Sequence, residues 1–212
     1  MTDDYNIEYP RADDQLFRGD SEDWQYDALI NKSRDSFYNY ADGYKDAADE
    51  IANLCLNRKG TIDILIYPLT FLYRQYIELR LKEAIIGLNY YLNDINDYPK
   101  HHYIDKLFIE FKSLYKKVSE IYNQKHFDNT EKLIKEFAHI DYKSFSFRYP
   151  VDKEGNHSLS IDRINIRNLK EVMQRIATFL DAAIDYVEQH KDIAAEMKAE
   201  WYSEMQSNYY NY

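Results

Sequence analysis

The chain has 212 residues, 45% hydrophobic and 30% charged, with five Gly, four Pro and a formal net charge of −10. This is long enough for one sizeable core. The balance is that of a globular chain and not a disordered one, and so few Gly and Pro argue against a loop-rich β-sandwich. The charge is uneven: residues 1–23 carry eight acids against Arg11 and Arg18, a local −6 that leaves −4 for the rest. An acidic total therefore does not exclude nucleic acid as a partner of the folded part.

Tyrosine is the unusual residue, with 22 copies against 10 Phe and 2 Trp. Its ring packs while its hydroxyl reaches water or a polar partner, which suits seams and subunit contacts; compositional drift would explain the excess as well. Cys55 is the single cysteine. It allows no internal disulfide and no thiolate metal cluster, so a reducing cytoplasm is the expected home. Among Ile51, Leu54 and Leu56 it reads as a small core residue. The acidic, polar N-terminus does not read as a secretory signal. The longest apolar run, Ile64 to Tyr73, is about half of a membrane span and contains Pro68, so no membrane partner is expected.

Residues 1–23 show no sustained apolar period and read as an acidic tail or arm. Residues 24–190 are expected to form a helical bundle, and 191–212 a C-terminal helix extension and tail. The first helical stretch runs from about Trp24 to Asn57, clearest at Phe37, Tyr40, Tyr44, Ala48, Ile51 and Cys55. Arg58-Lys59-Gly60 closes it, with Gly60 available for a left-handed cap. A second helix spans Pro68 to Asn93 if Pro68 occupies the first turn; a start near Ile62 would put Pro68 inside it. A third covers Tyr103 to Asn123 with a stripe of Ile104, Leu107, Phe108, Phe111, Leu114, Tyr115 and Val118, and a shorter one Asn129 to His139. In Ser144 to Tyr149 aromatic and polar residues alternate, and they do so again from His157 to Ile161, which predicts a small β-hairpin around Asp152 to Gly155. The last helix begins near Asn165 or Asn168, where Asn168 and Glu171 resemble a capping box. Unbroken to the tail it would run on the order of 60 Å, so its distal part is expected to meet a second subunit or fold back.

No GxGxxG, GxxxxGK[ST], HExxH, CxxC or GxSxG motif occurs, so no nucleotide cofactor and no metal is expected. Arg74 and Glu78 lie four apart in FLYRQYIELRLK and share a helix face with Phe71, Ile77, Leu81 and Ile85. They are either an ion pair that fixes helix register or a buried polar site at a helix seam, and Lys82 could extend either arrangement. His101 and His102 follow Pro99. Either is a surface or capping residue, or one of them approaches Arg74 and Glu78 as an acid or base. The remaining histidines lack ligand spacing. Arg148, on the polar edge of the expected strand and away from Phe147 and Tyr149, suits a phosphate or carboxylate; an ion pair with Asp152 or a helix acid is the alternative. Arg163, Arg167 and Lys170 could enlarge a basic patch there or lie on an ordinary solvated face. Glu196, Glu200 and Glu204 form a like-charged ladder that would repel nucleic acid.

The segments GYKDAADEI, IYPLTFLYRQYIELRLKEAI and SFRYPVDKEGN together resemble an uncharacterised group of bacterial HEPN-like helical proteins, over roughly residues 38–200. The resemblance implies a mostly α bundle, commonly a homodimer, associated with bacterial defence against phage or with regulation. Many such domains are ribonucleases, with an Arg followed after four to six residues by His. No pair here fits: the nearest, Arg148 and His157, has eight residues between. The expectation is a non-catalytic, HEPN-like helical module with a hairpin insertion and a long C-terminal helix, binding a protein or RNA partner. The alternative is a divergent, metal-independent ribonuclease drawing on Arg74, Glu78, His102, Arg148 or His157. A third reading has the acidic N-terminus neutralise a basic effector protein.

Overall fold

The computed structural model describes residues 9–17, 19, 22–30, 36–93, 97–119 and 122–209. The chain divides into two compact units, Met1–Arg34 and Asp35–Tyr212. In the first, the start of the stretch expected to be helical from Trp24 to Asn57 is a single 3-10 turn, Trp24–Tyr26, with no regular structure from Asp27 to Ile30, while its second half forms a helix from Ser36 in the second unit. Leu16, Phe17, Trp24, Tyr26, Leu29 and Ile30 are all exposed. A helix whose apolar side chains stand in water has little to stabilise it.

The second unit holds five helices: α1 (Ser36–Leu56), α2 (Ile62–Asn93), α3 (Ile104–Val118), α4 (Gln124–Ile140) and α5 (Ile166–Tyr209). Helix α2 is the axis of the bundle, packed by α1, α3 and α5. Its sequence explains this position. Leu69, Tyr73, Tyr76, Ile77, Leu81, Ala84, Ile85 and Leu88 are all buried, so apolar residues lie round most of its circumference. Pro68 sits inside α2, in its second turn, where it removes the N–H that would bond the Ile64 carbonyl. Helix α1 turns Ala41, Ala48, Ala52 and Cys55 into the core, small residues that permit close approach. Cys55 is a buried free thiol whose pKa burial pushes up. Where α5 crosses α2, Gly87 fits because a Cβ there would lie 3.1 Å from Val187 Cγ1.

Helices α3, α4 and α5 share an aromatic cluster. Phe127 stacks on Phe111 at 5.7 Å between centroids and meets Phe179 edge-on at 4.9 Å. The boundary between α3 and α4 differs from the expected one. Helix α3 stops at Val118, and the Asn123 side chain accepts from the backbone N–H of Lys125 and His126, so it starts α4 instead of ending α3.

Three further details correct the sequence expectations. At the end of α1 the left-handed residue is Arg58 (φ 56°), not Gly60, and the Lys59 N–H closes on the Leu54 carbonyl at 2.9 Å in a Schellman arrangement. The cap of α5 is Asn165, whose side chain accepts from the Asn168 N–H at 3.0 Å. The β-hairpin is reduced to one bridge pair, Val151 with His157, and residues 146–148 form turns. The cause lies in Asp141: its Oδ1 accepts from the N–H of Phe145 (2.6 Å) and Ser146 (2.9 Å), while Ser144 adopts φ 57°. Local capping competes with strand pairing and wins.

Helix α5 has 44 residues, about 66 Å at 1.5 Å per residue. Its core residues run from Ile166 to Val187. Beyond them, Ile193, Glu196, Glu200 and Trp201 are exposed. The side chain of Glu204, third rung of the expected ladder, lies outside the described residues.

Candidate functional site

The middle of α2 carries a buried ionic network. Arg74 is fully buried and all three of its nitrogen groups are used. Nη1 donates to Glu78 Oε2 at 3.1 Å, Nη2 to the His102 carbonyl at 2.6 Å, and Nε to the Asp141 carbonyl at 3.1 Å. Asp141 Oδ2 lies 3.6 Å from Nε as a second ionic partner and makes no hydrogen bond of its own. Glu78 Oε1 accepts from Lys82 Nζ at 2.8 Å and is 2.6 Å from His102 Nδ1. Two cations therefore balance two carboxylates in the interior, the condition under which buried charge is tolerated. Burial acts to raise the Glu78 carboxyl, but the hydrogen bonds and charges of Lys82 and His102 outweigh it, and the net shift is downward.

This geometry assigns the network a scaffolding task. Arg74 ties α2 to the segment before α3 and to the end of α4, three places far apart in sequence. Its guanidinium is fully buried with each nitrogen engaged, so it cannot meet a substrate. His102 is brought to Glu78, with its side chain 66% exposed, whereas neighbouring His101 turns its Nδ1 to the Tyr103 N–H at 3.3 Å.

A second buried arginine escaped the sequence reading. Arg80 Nε donates to Asp181 Oδ1 of α5 at 3.1 Å, with Nη2 on the same oxygen, and Nη1 reaches Glu83 at 2.7 Å. Tyr76 adds its hydroxyl to Asp181 at 3.3 Å. Asp181 stands 101 residues away, so no local spacing marked the pair. Arg80 could have been noticed as a cation on a helix that is apolar nearly all round.

Arg148 is placed differently. It sits on a turn and not on a strand edge, and its guanidinium lies over the Tyr149 ring (5.5 Å) and the Phe71 ring (5.8 Å) instead of pointing away from the aromatics. Nε donates to the Ser144 carbonyl at 2.6 Å, which fixes the side chain. Among the described residues, its two terminal nitrogens meet no protein acceptor. The expected ion pair with Asp152 does not form; that carboxylate instead accepts from the N–H of Glu154 and Asn156, within its own turn.

Arg148 and His157 line one groove of about 740 Å³ together with Tyr67, Phe147, Tyr149 and Asp162. An adjoining hollow of about 320 Å³ shares Tyr67 and Asp162 and adds Asp63 and Arg163. The lining is largely aromatic and aliphatic, Arg148 and Arg163 are exposed, and two acids, Asp63 and Asp162, limit the positive charge. Of the other basic candidates, Lys170 is hydrogen-bonded to Asn53 and leaves the patch. Arg74, Glu78 and His102 thus form one cluster, Arg148 and His157 line another, and none of the first three lines the groove. A third hollow, about 670 Å³ between α4 and α5, is mostly apolar and includes Phe127, Ile176 and Phe179.

Among the described residues, no group of three or more His, Cys, Asp or Glu could hold a metal ion, and no helix is long and apolar enough to cross a membrane. Compared with known proteins, the chain matches no family model, no curated protein and no solved structure.

Proposed function

We propose that this chain is a non-catalytic, HEPN-like helical module that homodimerises and binds a protein or nucleic-acid partner in bacterial defence or regulation. Single-stranded RNA is the partner class its groove suits best. The observation that carries this reading is Arg148: anchored through Nε, flanked by rings, and unspent at both terminal nitrogens beside an aromatic groove. A guanidinium so held presents a planar fork to a phosphate with little ordering left to do. Tyr67, exposed in the groove, offers a ring face on which a base can stack, while Tyr149 is already stacked on Phe145 at 4.7 Å and serves to hold Arg148. Asp63 and Asp162 repel a long phosphate track, so the contact is short and uses one or two phosphates. The reach of α5 beyond Val187, the last described residue it gives to the core, supports the dimer.

The test is fluorescence anisotropy with a labelled single-stranded RNA across a salt series, with the same mixtures run on a denaturing gel. Saturable binding with a shallow salt slope, about −0.7 per phosphate neutralised, and intact RNA are expected. Absence of binding at low salt would refute the RNA reading. Sedimentation that finds only monomer at tens of micromolar would refute the dimer.

A second reading, a metal-independent ribonuclease, is favoured by one observation: Arg148 and His157 line the same groove. There His157 would take the 2′-hydroxyl proton as the 2′-oxygen attacks phosphorus, the P–O5′ bond breaks with the 5′-oxygen leaving to take a proton from water, and Arg148 would stabilise the negative charge on the phosphoryl oxygens. It requires cleavage in chelator that is lost in both Arg148→Ala and His157→Ala.

A further inference from the structure

The scaffold explains why Glu78 is buried and ionised, but not why an exposed imidazole hangs on its second edge. Glu78 Oε1 takes Lys82 at 2.8 Å and His102 Nδ1 at 2.6 Å, and hydrogen bonds from both hold its carboxyl below the ordinary value. An ionised carboxylate only accepts, so the hydrogen in the contact belongs to Nδ1. In the neutral ring the lone pair then resides on Nε2, on the opposite edge of a side chain that is 66% exposed. A carboxylate behind a histidine fixes its tautomer and orientation. For a mere staple the exposed ring is unnecessary, since Arg74 already bonds the His102 backbone carbonyl.

The surroundings suit an anion. His102 lies two residues ahead of α3, and Tyr103, the residue at its N-cap position, makes no side-chain cap, so the first-turn N–H groups are not covered by a side chain. Lys100 and Lys106 lie close by in the chain, held over the rings of Tyr98 and Tyr103 at 3.6 and 4.6 Å. The acids on these segments are Asp97, which is paired with Lys100 at 2.8 Å, and Asp105 in the first turn of α3. None of the three hollows described above is lined by His102. The exposed ring is open to a donor in solution or on another protein.

We propose that His102 Nε2 is a phosphoryl-acceptor site, charged by a high-energy phosphoryl donor of the acyl-phosphate class. The Nε2 lone pair attacks phosphorus, the N–P bond forms as the P–O bond to the acyl group breaks, and the carboxylate leaves with the bonding pair. Nδ1 keeps its proton throughout, and the imidazolium charge that develops is matched by Glu78. This proposal is independent of the groove at Arg148, and either can fail alone.

The full chain is incubated with acetyl phosphate, and phosphorylated histidines are located by mass spectrometry under alkaline conditions. His126 and His139, both exposed in the same chain, serve as internal references. His102 is expected to react roughly ten- to a hundredfold faster than either, on the scale that an orienting carboxylate has at metal-binding histidines. The label should disappear on acidification and be absent in His102→Asn. Glu78→Gln should bring His102 down towards the reference rate. A His102 rate equal to those of His126 and His139, or no label at all, overturns the proposal, and that comparison in the wild type decides it even where Glu78→Gln does not fold. An unchanged His102 rate in a folded Glu78→Gln protein overturns it as well.

Discussion

Replacing Arg74 by methionine keeps the length and apolar stem of the side chain and removes its charge and every donor. In the folded chain this strands Glu78 Oε2 and the carbonyls of His102 and Asp141, which Arg74 holds at 3.1, 2.6 and 3.1 Å. It also leaves the Asp141 carboxylate, 3.6 Å from Nε, without its cation. Removing one member of a buried ion pair costs about 3–5 kcal/mol, because the partner charge stays buried and uncompensated. Against a total stability of about 5–15 kcal/mol, that is a large share. Urea unfolding followed by circular dichroism should show a midpoint lowered by about 1–5 M at an unchanged slope, taking a slope of about 1–3 kcal/mol per M. Adding Glu78→Gln to Arg74→Met should cost less than the two single changes together, with a coupling of about 1–3 kcal/mol. An Arg74→Met protein within about 1 kcal/mol of wild type would refute the scaffolding role, and so would strict additivity.

Arg58 adopts φ 56° at the end of α1, a conformation that costs a residue with a Cβ about 1–2 kcal/mol. Arg58→Gly should therefore raise the melting temperature by a few degrees, about 2–4 °C per kcal/mol for a chain of this size; a lower melting temperature would show that Arg58 makes a compensating contact. The pH dependence follows from two carboxylates. Glu131 is held below its ordinary value of 4.5 chiefly by hydrogen bonds from Lys112 and Lys135, and Glu78 is also held below 4.5. A depressed folded pKa gives stability that is present above 4.5 and lost as pH falls below it. Glu83, pushed up by burial, acts in the opposite direction, so the readout is the difference between wild type and Glu78→Gln. That difference should shrink as pH falls below 4.5, and a difference that widens there would contradict the assignment.

Much of the bundle was legible because its helices carry uninterrupted apolar periods; Ile104, Leu107, Phe108, Phe111 and Tyr115 form such a stripe and are all buried. Helix ends were less legible, since each is decided by one side chain or one backbone angle. Asn123 could close α3 or open α4 until its side chain is seen on the N–H of Lys125. Arg58 takes a conformation usually left to glycine, and no pattern announces that. The alternation from Ser144 to Tyr149 misled because Asp141 caps the start of the segment into a turn. Arg74 and Glu78 were visible through their four-residue spacing, and His102 through its position near the next helix. Asp141 was not visible, because its contact with Arg74 spans 67 residues. The free fork of Arg148 was equally hidden, since it depends on Asp152 satisfying its own turn.

The central claim is that the buried charges hold the fold while Arg148 at the surface does the binding. Its most direct test is the affinity of Arg148→Ala for single-stranded RNA, measured beside its melting temperature. Loss of one well-placed guanidinium contact should weaken binding roughly tenfold, about 1.4 kcal/mol, with a melting temperature close to that of wild type. Wild-type affinity in a folded Arg148→Ala protein would contradict the claim.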